Sequence, residues 1–191
     1  IASMPLDKNG VRGGVLLGKG RYELYGRLEI KSSGVIIRGS GADEGGTIII
    51  AAGTDRQTLI RITGKNNRKI YNEVPVLEKY LPVNSLKLKL GKGHLLQTGD
   101  EVLIHRPSTS EWISELGMES FGGETGWLGW KPGERDIYWD RSIISADAET
   151  ITIDAPITTA MDANFGGGAI AKYHWPGRIE QVGIENLKMQ S

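Results

Sequence analysis

The side chains best suited to binding chemistry occur at the ends of two candidate strands. His105 and Arg106 end one strand, Tyr173 and His174 end another, and Arg178 follows shortly after. Arginine pairs bidentately with carboxylate or sulfate groups, and imidazole exchanges a proton near neutral pH. We expect the two strand ends to be adjacent, which would gather cations beside an anionic ligand. The alternative is that these residues form the polar rim of a small barrel.

A long segment between strands, residues 107–140, carries four of the five tryptophans: Trp112, Trp127, Trp130 and Trp139. Irregular segments longer than about 15 residues are uncommon in compact domains and are often functional. Indole rings offer large faces with a polar handle, on which sugar rings can stack. Together with the basic strand ends, this segment predicts a glycan site. The alternative is that the indoles hold the loop in place by hydrophobic contacts.

Carboxylates in the same segment leave glycoside hydrolysis open, because that reaction uses a pair of them. The candidates are Glu111, Glu115, Glu124, Asp136 and Asp140. The sequence does not select a pair.

The sequence lacks the residues needed for a zinc site, a nucleotide-binding loop or a serine-hydrolase elbow. No cysteine is present, and the three histidines have no metal-ligand spacing, so a zinc site is not predicted. The stretch Gly13 to Gly20 nearly matches a phosphate-binding loop, but Gly20 stands where serine or threonine is needed. The stretch Gly39 to Gly45 similarly misses a dinucleotide fingerprint, and no serine-hydrolase elbow occurs.

Composition indicates an ordinary folded chain. Of its 191 residues, 39% are apolar and 24% charged, and 23 basic residues balance 23 acidic ones. A net charge of zero predicts no general attraction to nucleic acid, and no apolar run reaches the roughly 20 residues of a membrane span. The 27 glycines indicate many tight turns. The sequence neither starts with methionine nor ends in a cap, so we expect further β-helix after Ser191.

Short β-rich runs separated by glycine-containing turns occupy residues 13–64. They are Val15 to Leu17, Tyr22 to Tyr25, Leu28 to Ile30, Val35 to Ile37, Thr47 to Ile50 and Leu59 to Ile62. The spacing leaves no room for crossover helices, and the Asn9-Gly10 hairpin signal precedes the first run. The pattern favours a coil of parallel strands over an antiparallel sandwich. Its predicted interior consists of Leu16, Ile30, Ile36, Ile48 and Ile50.

The pattern changes after a predicted linker at residues 66–81. Alternating strands follow at 85–90, 101–105, 142–144, 150–153 and 169–175. Half-buried alternating strands are typical of antiparallel sheets. We therefore predict three parts: β-helix coils at 1–64, an inserted module at 65–173 with the tryptophan-rich loop, and a return to the coil at 174–191.

Two stretches resemble the opening coils of the pectate-lyase-like superfamily. Gly14 to Leu24 reads GVLLGKGRYEL, and Leu28 to Gly41 reads LEIKSSGVIIRGSG. The stretches Gly99 to Pro107 and Lys172 to Arg178 are similar to the inserted module of large bacterial members. The resemblance implies an all-β fold, a right-handed parallel β-helix with an inserted small antiparallel β-barrel-like module. The family's catalytic residues lie on later coils and cannot be transferred to this sequence.

The resemblance also implies a function. We expect the N-terminal part of a secreted or periplasmic bacterial enzyme that degrades acidic polysaccharide, foremost a lyase acting by β-elimination on uronate. A glycoside hydrolase on the same scaffold and a non-catalytic carbohydrate-binding or tailspike-like structural protein are the alternatives. The resemblance allows calcium as a cofactor. The expected binding residues are His105, Arg106, Trp112, Trp127, Trp130, Trp139, Tyr173, His174 and Arg178.

Overall fold

The computed structural model describes residues 1–125 and 128–191, in which β-strands dominate. The strands are β1 (Gly13–Leu16), β2 (Gly20–Leu24), β3 (Leu28–Ile30), β4 (Val35–Arg38), β5 (Thr47–Ala51), β6 (Ile60–Ile62), β7 (Lys69–Pro75), β8 (Tyr80–Leu81), β9 (Lys87–Lys89), β10 (Glu101–Arg106), β11 (Ile137–Ala146), β12 (Thr150–Ile153), β13 (Met161–Asp162), β14 (Ala169–His174), β15 (Gly183–Glu185) and β16 (Lys188–Gln190). A short helix, α1 (Ser110–Glu115), and 3-10 turns at Gly123–Thr125 and Ala163–Phe165 complete the described elements. Two compact units result. The first unit comprises Ile1–Asn67 and Trp175–Ser191, and the second unit comprises Arg68–His174.

Strands of the first unit pair in parallel. Strand β4 lies between β1 and β15, β5 lies between β2 and β16, and β3 pairs with β6. Three successive strands thus enter three different sheets, and the next three repeat the cycle. The predicted parallel pairing of residues 13–64 is confirmed, and the fold of this unit is β-helix-like. The right hand of the coil stays a prediction.

The returning chain joins these sheets at Gly39. Its N–H donates to the Glu185 carbonyl, and its carbonyl accepts from the Asn186 side-chain amide, both at 2.9 Å. A Cβ at position 39 would collide with the Asn186 carbonyl and with Thr47. Glycine is therefore required here by the close approach of two backbones.

The predicted interior of the first unit is partly wrong. Ile30 and Ile48 are buried, Ile36 and Ile50 are half-buried, and Leu16 is 72% exposed. Leu16 aligns with Arg38, which forms a 2.9 Å ion pair with Glu185 and so marks the outward row.

Side chains alternate across a strand, so the neighbouring row faces inward instead. This row contains Ile37, which is buried, and its aligned partners Ile184, which is half-buried, and Val15, which at 39% is less exposed than Leu16. The prediction therefore chose the wrong one of two alternating rows. All three residues from Val15 to Leu17 are apolar, so the sequence of this run does not show which row faces the interior.

The second unit contains a six-stranded sheet in the order β7-β14-β10-β11-β12-β9, with every pairing antiparallel. The antiparallel strands predicted here are confirmed, while a closed barrel stays a prediction. The hydrophobic core of the second unit contains buried side chains that include Leu88, Ile104, Ile143, Ile153 and Ile170.

Two predictions for this unit are wrong in detail. Lys69–Pro75 forms β7, although a linker was expected, because it pairs with β14 on both sides of an irregularity at Asn72 and Glu73. The tryptophan-rich loop is also not wholly irregular: it contains α1, which is capped by Thr109, and β11 begins at Ile137.

Candidate ligand-binding site

The candidate site is built around the C-terminal end of strand β10, which lies in the interior of the six-stranded sheet. The penultimate residue of β10, His105, aligns with Tyr138 on β11 and with Ala169 on β14. The His105 and Tyr138 rings stack with centroids 4.5 Å apart and planes 7° from parallel. Cross-strand neighbours on one face approach closely, so this contact follows from the register. Tyr138 stays partly exposed.

Asp136 connects this strand end to the tryptophan-rich loop. Its Oδ2 lies 2.8 Å from His105 Nε2, and its Oδ1 accepts from the Ser108 N–H and hydroxyl, both at 2.8 Å. The Ser108 hydroxyl oxygen accepts in turn from the N–H groups of Gly133 and Arg135, at 3.1 and 3.0 Å. Two distant parts of the loop are thereby held against β10.

Hydrogen bonding keeps Asp136 ionised. Burial alone would raise the pKa of this carboxyl, but the hydrogen bonds from Ser108 and His105 outweigh burial and lower the pKa below its ordinary value. The pKa of Tyr138 is raised, first by burial and then by the negative charge of Asp136. The site therefore combines a fixed carboxylate with a phenol that keeps its proton.

This arrangement is not a serine-hydrolase triad. Such a triad requires the nucleophilic hydroxyl to contact the imidazole. Here the Ser108 hydroxyl donates to Asp136 instead, and the residue is only 1% exposed. Ser108 is a structural residue of the loop.

Arg106, which the sequence predicts as a binding cation, is buried. It is 4% exposed, and its guanidinium carbon lies 4.0 Å from the centre of the Trp112 ring. Burial lowers the pKa of Arg106, and the nearby charge of Asp136 partly offsets that effect. Its Nη1 is buried without a hydrogen-bond partner among the described residues. Because Arg106 points into packed structure rather than solvent, we assign it a structural part in this cluster.

Aromatic rings and guanidinium groups continue outward from Arg106. Trp112 stacks with Trp130 at 5.8 Å between centroids, and the Arg135 guanidinium lies 5.1 Å from the Trp130 ring centre. Arg68 occupies a similar place 5.2 Å from the Tyr138 ring centre. Arg135 is exposed and Arg68 is half-buried. Each ring thus already contacts at least one protein group. Arg135 is the exposed member of its pair with Trp130, whereas in the other pair Tyr138 is the more exposed member.

The remaining predicted residues lie elsewhere. Trp139 is a core residue, 6% exposed, whose Nε1 donates to Thr158 at 3.0 Å. Trp175 and Arg178 form a separate pair in the first unit, 5.7 Å from guanidinium to ring centre. Trp127 lies outside the described residues.

The predicted convergence of two strand ends is wrong for Tyr173 and His174. Strands β10 and β14 are antiparallel, so their C-terminal ends point in opposite directions. His105 aligns with Ala169, and Tyr173 lies four residues further along β14. At about 3.4 Å per residue, that separation is about 14 Å.

Sequence reasoning missed Ser108 and named Asp136 only as one of five candidate carboxylates for glycoside hydrolysis. The signal available was local: Ser108 directly precedes Thr109, the N-cap of α1, in a segment that must begin a helix. Nothing in the sequence links Asp136 to His105, since 30 residues separate them and the loop's path decides their contact.

The carboxylates give little support to a glycosidase pair. A general acid in such a pair requires a raised pKa. Hydrogen bonds within its own helix turn lower the pKa of Glu111, and the pKa of Asp136 is lowered as well. In the described ranges, no group of three or more histidine or acidic side chains is arranged to hold a metal ion. The calcium that the resemblance allows therefore gains no ligand set here.

Parallel sheets in the first unit and an antiparallel sheet in the second define a mostly β, β-helix-like protein. No protein-family model matches the sequence, and no curated protein matches it. Among solved structures it is similar to a tailspike of Pseudomonas phage phi297, with 12% identity, a TM-score of 0.43 and coverage of 93% of this chain and 26% of that chain.

A tailspike of Acinetobacter baumannii bacteriophage AP22, solved in complex with A. baumannii capsular saccharide, has 10% identity, a TM-score of 0.41 and coverage of 93% and 24%. The tailspike of Pseudomonas phage LKA1 has 17% identity, a TM-score of 0.38 and coverage of 84% and 23%. The chain spans about a quarter of the length of these tailspikes. No helix in the described residues is long and apolar enough to cross a membrane.

Proposed function

We propose that the second unit binds an acidic polysaccharide through guanidinium groups that aromatic rings hold in place. The observation that carries the proposal is Arg135, an exposed cation 5.1 Å from the centre of the half-buried Trp130 ring. Contact with the ring restrains a side chain that would otherwise lose rotamer freedom on binding. A restrained planar guanidinium is suited to bidentate pairing with a uronate carboxylate or a sulfate.

Arg68 beside Tyr138 supports the same chemistry at a second position. Repeated anionic groups along a polysaccharide can pair with separated cations, which increases affinity without a deep pocket. The secreted or periplasmic location expected from the sequence accords with such a substrate and remains part of the proposal.

Titration calorimetry of polygalacturonate against single variants tests this function. Arg135→Ala should weaken binding at least about tenfold, since a hydrogen bond to a charged group contributes about 1.5 to 3 kcal/mol. Arg135→Lys should restore part of the loss, because lysine keeps the charge and lacks the planar fork. Arg56→Ala, an exposed arginine of the first unit, removes the same charge and serves as the matched control.

Salt provides the second measure. The difference between wild type and Arg135→Ala should shrink from low salt to about 0.5 M, because ion pairing is screened. Equal affinity of wild type, Arg135→Ala and Arg56→Ala would refute the proposal.

A second candidate function is cleavage of the bound uronan by β-elimination, favoured by the contact of His105 with Asp136. With Nε2 engaged by the carboxylate, His105 Nδ1 is the atom that could take the proton beside the uronate carboxylate. The electron pair released there forms the new carbon–carbon double bond as the bond to the departing glycosidic oxygen breaks. Tyr138, which keeps its proton, could protonate that oxygen.

Ultraviolet absorbance of the unsaturated product tests this step. His105→Ala should abolish the absorbance while binding measured by calorimetry persists, and Arg56→Ala should leave it unchanged. Wild-type protein that binds polygalacturonate and yields no absorbing product over a long incubation would leave binding as the function and refute the lyase.

A further inference from the structure

A cleft in the second unit contains a histidine whose ring nitrogens have no partner in the part of the chain that the structure describes. It has a volume of about 350 Å³ and lies between β7 and the loop that precedes β10. Both ring nitrogens of His94 are buried and lack a hydrogen-bond partner among the described residues. A buried polar atom without a partner costs about 1 to 3 kcal/mol. Because neither nitrogen is exposed, a hydroxyl group entering the cleft would remove that cost once the His94 ring turned to face it.

The walls of the cleft combine apolar and polar surface. Tyr71, Val74 and Leu96 provide the apolar part, while Asn72 and Glu73 add an amide and a carboxylate. Lys172 also lines it and forms a 2.6 Å ion pair with Asp100, so its charge is already compensated. The cleft therefore offers hydrogen bonds without a free cation, unlike the surface around Arg135.

This chemistry matches a sugar ring with neutral hydroxyl groups. A pyranose has an apolar face of C–H groups and hydroxyls that both donate and accept. Neutral imidazole likewise donates through one nitrogen and accepts through the other. The volume lies at the low end of ligand pockets, which run from about 300 to 1,000 Å³. One or two sugar residues would fit such a space.

We propose that the His94 cleft is a subsite for a neutral sugar residue or chain end. The ring would pack on Tyr71 and Val74, and its hydroxyls would pair with His94 and Asn72. The proposal rests on the proposed function in taking a glycan as the ligand. It goes further because it assigns the neutral sugars of that glycan to the His94 cleft and the anionic groups to the surface around Arg135.

Amide chemical shifts of isotope-labelled protein separate the two sites. Cellobiose is the neutral probe and digalacturonate the acidic one. We expect cellobiose to shift the amides of Gly93 to Leu96, and digalacturonate to shift those of Arg135 and Tyr138. Binding of cellobiose should weaken about tenfold or more in His94→Leu and by less than about threefold in His94→Gln, which keeps a donor and an acceptor.

His174→Leu is the matched control, because His174 is exposed in the same unit and does not line the cleft. The amide spectrum of each variant shows whether it is folded, and His94→Gln serves if His94→Leu is not. If neither sugar shifts Gly93 to Leu96 while digalacturonate shifts Arg135, the cleft proposal fails and the proposed function stands. Shifts by cellobiose at the cleft alone, with none by digalacturonate, would support the cleft and refute the proposed function.

Discussion

Asp136 should be among the residues on which the stability of the second unit most depends. Asp136→Ala removes an acceptor for the Ser108 N–H, the Ser108 hydroxyl and His105. The His105 side chain is 23% exposed, so water can replace that partner, whereas Ser108 is 1% exposed. Two lost hydrogen bonds to a charged acceptor, at about 1.5 kcal/mol or more each, amount to about 3 kcal/mol. The free energy of unfolding should fall by that amount.

Urea unfolding followed by tryptophan fluorescence measures this change in the correct unit. Four of the five tryptophans belong to residues 68–174, so the signal comes mainly from there. With an m-value of about 2 kcal/mol/M, the midpoint should fall by about 1.5 M. Asp136→Asn should lower the midpoint by less, because the side-chain carbonyl of asparagine still accepts a hydrogen bond from Ser108. Glu119→Ala removes one exposed negative charge in the same unit and should leave the midpoint unchanged.

The pH dependence of this difference has a definite sign. Because the pKa of Asp136 is lowered on folding, its stabilisation is present above the unfolded pKa, about 3.9, and is lost as the pH falls through the folded value. The gap between wild type and Asp136→Ala should therefore persist at pH 5 and close only at more acid pH. An Asp136→Ala midpoint equal to that of wild type at pH 7 would show that the loop is anchored by other contacts.

Two further predictions concern other parts of the chain. In the first unit, Ile49→Ala should lower the free energy of unfolding by about 2 to 5 kcal/mol, while Leu16→Ala should change it by less than about 0.5 kcal/mol, since Ile49 is 1% and Leu16 is 72% exposed. Calorimetric unfolding of both variants tests the corrected facing, and equal losses would contradict it. Between β11 and β12, the Thr150 hydroxyl and the N–H groups of Glu149 and Thr150 lower the pKa of Asp147 to about 2. Carbon-detected NMR should give that value, and Thr150→Val should raise it; an unchanged titration would exclude the hydroxyl as the cause.

The sequence predicted strands better than the faces they present. The predicted run Val35 to Ile37 lies within the observed strand β4, because few other structures accommodate β-branched residues between closely spaced glycines. Facing is less determined in a run such as Val15 to Leu17, where every residue is apolar. There, the aligned partners Arg38 and Ile37 decide which row is exposed.

The site was predictable in composition and not in geometry. Residue types and the long loop drew attention to His105, Trp112 and Trp130, whose part in binding stays a prediction. The structure joins His105 to Asp136 and stacks Trp112 on Trp130. The direction of β14 relative to β10 was needed to exclude Tyr173 from this cluster. Burial was also needed to separate Arg106 from Arg135, since both are arginines beside tryptophan and only one reaches solvent.

Under the proposed function, stability and polysaccharide binding would be coupled in this cluster, and that coupling determines which variants are informative. Arg135 lies in the tryptophan-rich loop, and its backbone N–H donates to the Ser108 hydroxyl. Removing Asp136 would therefore release the backbone that positions the Arg135 guanidinium, so polysaccharide binding would fall without any loss of a direct contact. Arg135→Ala keeps that backbone hydrogen bond and deletes only the exposed side chain. A loss of affinity in Arg135→Ala with an unchanged unfolding midpoint thus reports on the ligand contact itself, whereas the same loss in Asp136→Ala reports on the loop that presents it.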